Sequence, residues 1–225
     1  MDALIIEEIK KIIKDGTVKE KEPLSEHTTF RVGGPAGLWA EPTEDELLPL
    51  ITLAREKEIP FYILGNGSNV LISDEGIDGL VISLGEKMSE IKAEGTLLTA
   101  QAGVLLSRLS AFAADRALSE LEFASGIPGS LGGAVVMNAG AYGGELKDVI
   151  TSVRVLREDG VVEYTRQEMD FSYRHSRIID EGGIVLSATL SLKEGDAEEI
   201  RKEIREIGEK RRAKQPLNYR SEERR

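Results

Sequence analysis

Apolar residues recur at helical spacing from the first residues of the chain. Ile5, Ile9 and Ile12 lie three to four positions apart, and Glu7, Glu8, Lys10 and Lys11 stand among the positions between them. This spacing predicts an amphipathic helix with one apolar face. Gly16 follows the last apolar position, where a glycine commonly ends a helix. The chain is therefore expected to begin with a helix that stops near this glycine.

Two further helices are predicted by the same periodicity together with capping residues. In "PTEDELLPLITLAREKEIP", Thr43 and Glu46 have the spacing of a capping box. Pro49 removes a backbone donor, so we expect it to bend or shorten the first turns. Close to the other end of the chain, Asp196 precedes Ile200 and later isoleucines at helical spacing. This pattern predicts a last helix that begins at the aspartate.

Short apolar runs between the second helix and residue 84 predict strands. Residues 61–64, 70–72 and, apart from Ser83, 80–84 are apolar, and these runs are bounded by Gly, Asn and Asp. Such runs are typical of buried strands joined by tight turns. The first 84 residues are therefore predicted to form one lobe, a helix plus a small sheet.

The second part of the chain has the pattern of an antiparallel sheet with helices. The segments "EIKAEGTLLTAQAG" and "VRVLREDGVVEYT" each place a glycine turn between two strand-like runs, which predicts two hairpins. Leu109 and its apolar neighbours mark a helix between them, and "GIVLSATLSL" reads as a further strand. Residues 85–214 are thus predicted to form a second lobe, and the fold class is α+β.

Composition excludes several classes of function. The 225 residues carry 29 Lys and Arg against 40 Asp and Glu, a net charge of −11, which disfavours nucleic-acid binding. Cysteine is absent, so disulfides and thiolate metal sites are excluded. The charged helix at the start does not resemble a signal peptide, and no segment is apolar enough to enter a membrane. A cytoplasmic location is expected, and oligomeric state is left open.

The segment "LGNGSNVLISD" contains a compact set of polar and glycine residues. Glycines allow the backbone to approach a ligand closely, and consecutive N–H groups with Ser68 and Asn69 could bind phosphate oxygens without a cation. The alternative is an ordinary hairpin or crossover turn. The G-x-G-x-x-G dinucleotide pattern is not met, because Val70 stands at its third glycine.

Residues 126–144, "GIPGSLGGAVVMNAGAYGG", form a glycine-rich ribbon without a charged side chain. Its glycines, with Pro128 stiffening the turn, allow close packing against something flat or phosphorylated, and "GGAVVMNAG" could begin a helix. A tightly packed connection between lobes is the alternative. Two glycine segments in one chain favour a ligand that carries both a pyrophosphate and an aromatic ring system.

The segment "DFSYRHSRI" concentrates cationic and aromatic side chains in an acidic chain. Arg174 and Arg177 could hold a carboxylate or a diphosphate, unless the segment is only an exposed loop. His175 and His27 are the only histidines, and the sequence suggests no partner for either. We therefore expect no metal site and no catalytic triad at these histidines.

Five blocks in the same order resemble the family of UDP-N-acetylenolpyruvoylglucosamine reductases. They are "HTTFRVGGPA", "LGNGSNVLISDEGI", "LEFASGIPGSLGGAVVMNAGAYGGEL", "MDFSYRHS" and "KRRAKQP". The resemblance implies the two-lobed FAD-binding fold of the vanillyl-alcohol oxidase (PCMH) type, with noncovalent FAD between the lobes. The uncharged ribbon is then a surface against which the flavin lies.

Site residues are carried over from the same motifs. Arg174 matches the catalytic arginine of the family's Y-R-x-S motif, and Tyr173 and Arg174 are expected to bind the substrate. The cofactor-binding residues implied by the resemblance are Asn66, Gly67, Ser68, Asn69, Gly126, Ile127, Pro128, Gly129, Ser130, Gly132, Gly133, Ala134, Asn138, Gly140, Ala141 and Tyr142.

The resemblance also implies a reaction. In that family NADPH is the hydride donor, FAD carries the hydride, and a nucleotide-sugar enolpyruvyl ether is reduced in peptidoglycan precursor synthesis. The family's proton-donating serine lies in a P-S-A-G-S-x-F segment after the "KRRAKQP" block, but this chain reads "LNYRSEERR" there. Residues 215–225 are therefore expected to be a divergent tail without the family's third, substrate-binding domain. An FAD-binding module without reductase activity is the alternative.

Overall fold

A computed structural model describes residues 1–215, and it divides the chain into two compact units. The first unit is Met1–Met88, and the second begins at Ser89. The helices and strands of the first unit are α1 (Ala3–Ile12), β1 (Thr17–Glu20), β2 (Ala36–Glu41), α2 (Glu44–Glu56), β3 (Phe61–Leu64) and β4 (Ile77–Ser83).

The first unit contains a mixed sheet in the order β1-β2-β4-β3. Strand β1 is antiparallel to β2, whereas β2 and β3 are both parallel to β4. Trp39 of β2 and Val81 of β4 are register partners and are buried in one apolar cluster. The other buried members of that cluster are Leu24, Ala36 and Leu64.

The prediction of a strand at residues 70–72 is wrong. These residues belong to an irregular connection between β3 and β4. Val70 and Ile72 pack partly buried against the apolar cluster, whereas Leu71 is 77% exposed. Parallel strands cannot be joined by a tight hairpin turn, because the chain must return to the end of the sheet from which it started. The apolar residues here serve packing rather than strand pairing.

Helix α1 ends before Gly16, so the predicted C-terminal role of that glycine is also wrong. The Glu46 side chain explains the early end, since its Oε1 atom accepts the N–H groups of Lys14 and Asp15 at 2.6 and 2.8 Å. Gly16 is required for another reason, because a β-carbon there would lie 2.4 Å from the carbonyl oxygen of Glu41. Close packing between two parts of the unit selects this glycine.

Helix α2 begins as predicted. Thr43 is its N-cap residue, and the reciprocal capping box with Glu46 is present, including a 2.9 Å bond from the Thr43 N–H to Glu46 Oε2. The helix continues through Pro49 to Glu56. The proline therefore does not shorten the helix.

The second unit contains an antiparallel sheet and several helices, of which the last is the longest. Its helices and strands in chain order are β5 (Ile91–Glu94), β6 (Leu97–Gln101), α3 (Leu106–Ala114), β7 (Leu118–Ser119), α4 (Leu131–Val136), β8 (Gly140–Ala141), β9 (Gly144–Glu145), α5 (Leu146–Val149), β10 (Ile150–Arg157), β11 (Gly160–Thr165), α6 (Arg177–Glu181), β12 (Ile184–Ser191), β13 (Lys193–Glu194) and α7 (Ala197–Lys214).

The main sheet of the second unit has the order β11-β10-β12-β6-β5, and every neighbouring pair is antiparallel. Both predicted hairpins are confirmed as β5–β6 and β10–β11, with Gly95 and Gly160 at φ values of +60° and +120°. Helix α4 packs on β12, and the 3₁₀ segment Glu122–Gly126 packs against α3 and α7. Asp196 caps α7 as predicted.

The predicted boundary between lobes, after Leu84, stays a prediction. Residues on both sides of it bond within the first unit, because the Leu84 N–H donates to the Leu64 carbonyl and the Glu86 N–H to the Glu41 carboxylate. The predicted tail falls almost entirely on residues 216–225, outside the described residues. Across residues 1–215, none of the helices has both the length and the apolar character needed to cross a membrane.

Candidate functional site

The first glycine segment, residues 65–69, is shaped by contact with the chain itself. Gly67 has a φ of +60°, and a β-carbon there would lie 1.9 Å from the carbonyl oxygen of His27. The Thr29 N–H also donates to the Gly67 carbonyl at 3.1 Å. The absence of a side chain at Gly67 therefore serves backbone packing, as the turn interpretation expected.

The same segment nevertheless carries unused donors. The backbone N–H groups of Gly67, Ser68 and Asn69 have no acceptor among residues 1–215, and the side chains of Ser68 and Asn69 make no hydrogen bond there either. Gly67 is buried. Buried backbone donors are rarely left without a partner. Consecutive free N–H groups of this kind suit an anionic ligand.

In the second unit, the two adjacent glycines of α4 have opposite surroundings. The Gly132 N–H donates to the Ala102 carbonyl at 2.8 Å, and a β-carbon at residue 132 would lie 2.9 Å from the β-carbon of Ala102. Gly133 is exposed, and a β-carbon there would meet only the Ser130 hydroxyl, at 3.8 Å. Gly132 thus serves packing, whereas Gly133 borders open space.

The end of the ribbon is a small hairpin, β8–β9, whose turn consists of Tyr142 and Gly143. Both turn residues have positive φ, 51° and 93°, as a type I′ turn requires. Gly144 packs against the ring of Phe123, where a β-carbon would approach within 2.6 Å. Tyr142 is 47% exposed, so its ring is available for contact with a ligand.

Asn138, in the middle of the ribbon, is buried and fully engaged with the protein. Its Nδ2 donates to Glu145 Oε2 and to the Ser172 carbonyl, both at 2.9 Å, and its Oδ1 accepts the Lys147 N–H at 3.0 Å. The bond from Lys147 Nζ to Glu145 Oε2 and the bond from Asn138 both lower the pKa of the Glu145 carboxyl. The ribbon is thereby joined to the segment that follows β11.

That segment presents Tyr173 and Arg174 at the tip of a tight turn. Ser172 and His175 exchange two backbone hydrogen bonds of 3.2 Å, and Arg174 has a φ of 56°. Both tip side chains are exposed, and Arg174 forms no ion pair with any described residue. Ser176, which follows the turn, donates its hydroxyl to the Val136 carbonyl at 2.7 Å. The structure therefore brings the predicted catalytic arginine to the ribbon.

Several features were not visible in the sequence. His175 has an acidic partner, with its Nε2 3.1 Å from Asp180, and His27 pairs with Glu22 at 2.9 Å and stacks on Trp39. Within the described part of the chain, no group of His, Cys, Asp and Glu is arranged to hold a metal ion. Of the predicted cofactor residues, 66–69 lie in the first unit and the others in the second.

These residues fit a flavin nucleotide in chemistry. Residues 65–69 and 126–134 offer backbone and hydroxyl donors without Lys or Arg, which matches a pyrophosphate bound by neutral groups. Ser125, just before the ribbon, has a buried hydroxyl with no hydrogen-bond partner among residues 1–215, and sequence reasoning had no signal for it. A buried polar atom without a partner is consistent with a site for a polar ligand.

Comparison with known proteins agrees with this chemistry. Residues 35–166 match the family model described as FAD binding domain. The crystal structure of the UDP-N-acetylenolpyruvylglucosamine reductase of Thermus caldophilus superimposes with a TM-score of 0.74 at 36% identity, over 88% of this chain and 70% of that one. An alkyldihydroxyacetonephosphate synthase shares the fold at 16% identity, with a TM-score of 0.64 over 86% of this chain and 44% of that chain.

The fold and the matched domain define a flavoprotein with the two-lobed FAD-binding fold of the vanillyl-alcohol oxidase type. The UDP-N-acetylenolpyruvoylglucosamine reductase of Caldanaerobacter subterraneus is 46% identical over 221 residues, which cover 97% of this chain and 73% of the relative. That of Agathobacter rectalis is 48% identical over 89% of this chain and 68% of the relative. The chain belongs to the UDP-N-acetylenolpyruvoylglucosamine reductase family and is a flavin-dependent oxidoreductase.

Proposed function

We propose that this protein reduces UDP-N-acetylglucosamine enolpyruvate to UDP-N-acetylmuramate, with NADPH as hydride donor and FAD as noncovalent carrier. Family membership supports the reaction class. The observation that carries the proposal is the bond from Asn138 to the Ser172 carbonyl, because it ties the turn that presents Arg174 to the glycine-rich ribbon. The turn that bears this cationic residue is thus attached beside the surface proposed for the flavin.

The cofactor is proposed to bind to both glycine segments. When bound there, FAD would supply the chemistry of hydride transfer between NADPH and the substrate. In the first unit, the free N–H groups of residues 67–69 support a role in binding phosphate. In the second unit, exposed Gly133 and Tyr142 support a flavin surface. The full proposed set is Asn66, Gly67, Ser68, Asn69, Gly126, Ile127, Pro128, Gly129, Ser130, Gly132, Gly133, Ala134, Gly140, Ala141 and Tyr142. Asn138, which the resemblance also implied, is left out of this set because its side-chain amide donates to Glu145 and to the Ser172 carbonyl within the protein.

Arg174 is proposed to act by electrostatics. Adding hydride to the enolpyruvyl double bond places negative charge next to the substrate carboxylate, and a fixed guanidinium stabilises that charge more in the transition state than in the ground state. Its side chain is exposed and free of ion pairs within residues 1–215, so it is available to an anion. Tyr173, beside it at the tip, is proposed to contact the same substrate.

The reaction also needs a proton donor at the neighbouring carbon. Residues 217–225 do not match the serine segment that donates this proton in the family. For the 225 residues alone, we therefore propose FAD binding with little turnover. General acid catalysis commonly contributes ~10²–10⁴-fold, and substrate positioning adds to that.

Flavin binding is the first test. The protein is reconstituted with FAD, denatured and filtered, and flavin absorbance is measured in both fractions. We expect FAD to bind the native chain and to appear entirely in the filtrate after denaturation. Absence of binding would contradict the cofactor assignment, and flavin retained by the polypeptide would contradict noncovalent attachment.

Turnover is tested with NADPH absorbance in the chain alone and in a fusion that adds a relative's C-terminal region after Pro216. We expect substrate-dependent oxidation only in the fusion, and a loss of ~10²–10³-fold in kcat for Arg174→Ala. Arg177→Ala is the matched control, because Arg177 instead pairs with Glu181 and lies over the Tyr164 ring. Equal activity of the Arg174→Ala fusion and its parent would rule out the proposed role.

A further inference from the structure

Asn138 occupies a backbone position at which glycine is the usual residue. Helix α4 ends in a Schellman motif, in which the Ala139 N–H donates to the Ala134 carbonyl at 2.8 Å and the Asn138 N–H to the Val135 carbonyl at 3.1 Å. Asn138 is the residue with positive φ, 40°, that this motif requires. Glycine would satisfy the backbone equally well. An asparagine here therefore points to a use for its side chain.

Asn138 is 2% exposed, and its side chain uses both ends of its amide. Its Oδ1 faces a donor, the Lys147 N–H, whereas its Nδ2 faces two acceptors, Glu145 Oε2 and the Ser172 carbonyl. These partners fix the orientation of the amide, because the reverse orientation would place N–H against N–H and oxygen against oxygen. No donor hydrogen of this side chain remains for a ligand.

The carbonyl of Ser172 connects Asn138 to the arginine. This carbonyl accepts the His175 N–H, which closes the turn, and it also accepts the bond from Asn138. Both of its lone pairs are thereby used. On the other side of the turn, the Ser176 hydroxyl bonds to the Val136 carbonyl. The turn that carries Arg174 is therefore attached to the end of α4 on both sides.

We infer that Asn138 is a positioning residue whose side chain holds the Arg174 turn against the glycine-rich ribbon. This inference rests on the proposed function for its catalytic consequence. The exposed Arg174 guanidinium makes no ion pair with a described residue, so the backbone of the turn is what directs this side chain from its Cα atom. A misplacement of about 1 Å at a reacting centre can cost ~10²-fold in rate.

The test uses two substitutions that tolerate a positive φ. Asn138→Gly removes all three side-chain bonds without straining the backbone. Asn138→Asp keeps the acceptor for Lys147 but places a second oxygen against Glu145 and against the Ser172 carbonyl. Val153→Ala, in the core strand β10, serves as a control for general destabilisation, with its unfolding midpoint measured beside those of the variants. For the two Asn138 variants, we expect changes only in hydrogen exchange at the turn and in kcat for reduction of the substrate.

Two measurements are made on the three variants and the parent. Hydrogen exchange followed by mass spectrometry reports on residues 169–177, where the turn N–H groups of Ser172 and His175 are bonded. We expect exchange there to be at least ~10-fold faster in both Asn138 variants and unchanged in Val153→Ala. In the fusion, we expect kcat to fall ~10²-fold while FAD affinity and flavin reduction by NADPH stay within ~3-fold of the parent.

The outcomes separate this inference from the proposed function. Unchanged exchange in both Asn138 variants, or faster exchange without a loss of kcat, would show that Asn138 does not position the arginine. Loss of FAD binding together with kcat would instead make it a cofactor-binding residue and overturn the inference. A parent fusion without NADPH-dependent activity would refute the proposed function, and the exchange measurement would still decide whether Asn138 holds the turn.

Discussion

The carbonyl oxygen of His27 lies where a side chain at residue 67 would have to begin. The conformation and the space at a glycine are separate requirements, and Gly67 meets both. Gly95, in the turn of the β5–β6 hairpin, has the same φ of +60° but has no heavy atom within 4 Å of a built β-carbon. These two residues therefore separate backbone strain from steric overlap.

The pair supports a stability prediction. A β-carbon in the left-handed region costs ~1–2 kcal/mol, and we expect that cost for Gly95→Ala. Gly67→Ala should lower the free energy of unfolding by at least ~2 kcal/mol more than Gly95→Ala does, because the first unit must shift to relieve the overlap with His27. Urea unfolding followed by circular dichroism measures both. Equal losses in the two variants would contradict the close approach at Gly67.

At the scale of elements, Glu46 joins the end of α1 to the start of α2. Burial raises the pKa of this carboxyl, but the N–H groups of Thr43, Asp15 and Lys14 outweigh burial and lower the pKa from 4.5 to about 2. Because the pKa is lower in the folded protein, ionised Glu46 stabilises the fold above pH 4.5, and this stabilisation disappears as the pH falls towards 2.

The corresponding prediction concerns the pH dependence of stability. The lowered pKa of Glu46 corresponds to a contribution of about 3 kcal/mol to the free energy of unfolding at neutral pH. At pH 7, we expect the free energy of unfolding of Glu46→Gln to be lower than that of the parent by a similar amount. As the pH falls towards 2, we expect the stability of this variant to decrease less than that of the parent, because it has no carboxylate to protonate at residue 46. Glu56→Gln, at the exposed end of the same helix, is the control. The measurement is the free energy of unfolding from pH 7 to pH 2, and parallel curves for parent and Glu46→Gln would contradict the prediction.

At the scale of the whole molecule, an acidic chain of net charge −11 is proposed to bind a dinucleotide with two phosphates. The two glycine segments contain neither Lys nor Arg, so the proposed binding relies on neutral donors. Contacts of this kind are much less sensitive to salt than ion pairs are. Salt would also weaken the general repulsion between protein and ligand.

This argument predicts the salt dependence of FAD affinity. Between ~0.05 and ~0.5 M KCl, we expect the Kd for FAD to change by less than ~2-fold. Quenching of flavin fluorescence measures it. A Kd that rises ~10-fold over this range would show that a cationic side chain holds the phosphates. Arg211, whose Nη1 donates to the carbonyl of Gly126 at the start of the ribbon, would then be the first residue to replace.

The sequence alone determined the features that depend on neighbouring residues. The β5–β6 and β10–β11 hairpins, the capping box at Thr43 and the N-cap at Asp196 each use partners a few positions away, so the local pattern was enough. The ordered motifs that identify the family are likewise contiguous stretches of sequence.

Tertiary structure decided the features whose partners are distant in sequence. Because β3 pairs with β4 in parallel, residues 70–72 lie in the connection between these strands and do not form a strand. The N–H groups after α1 bond to Glu46, which is 31 and 32 residues further along the chain. The amide of Asn138 meets the Ser172 carbonyl 34 residues further on. Glycine and asparagine meet the same local requirement for positive φ at that position. The need for asparagine arises from the distant carbonyl that its amide bonds, and only the folded chain brings the two together.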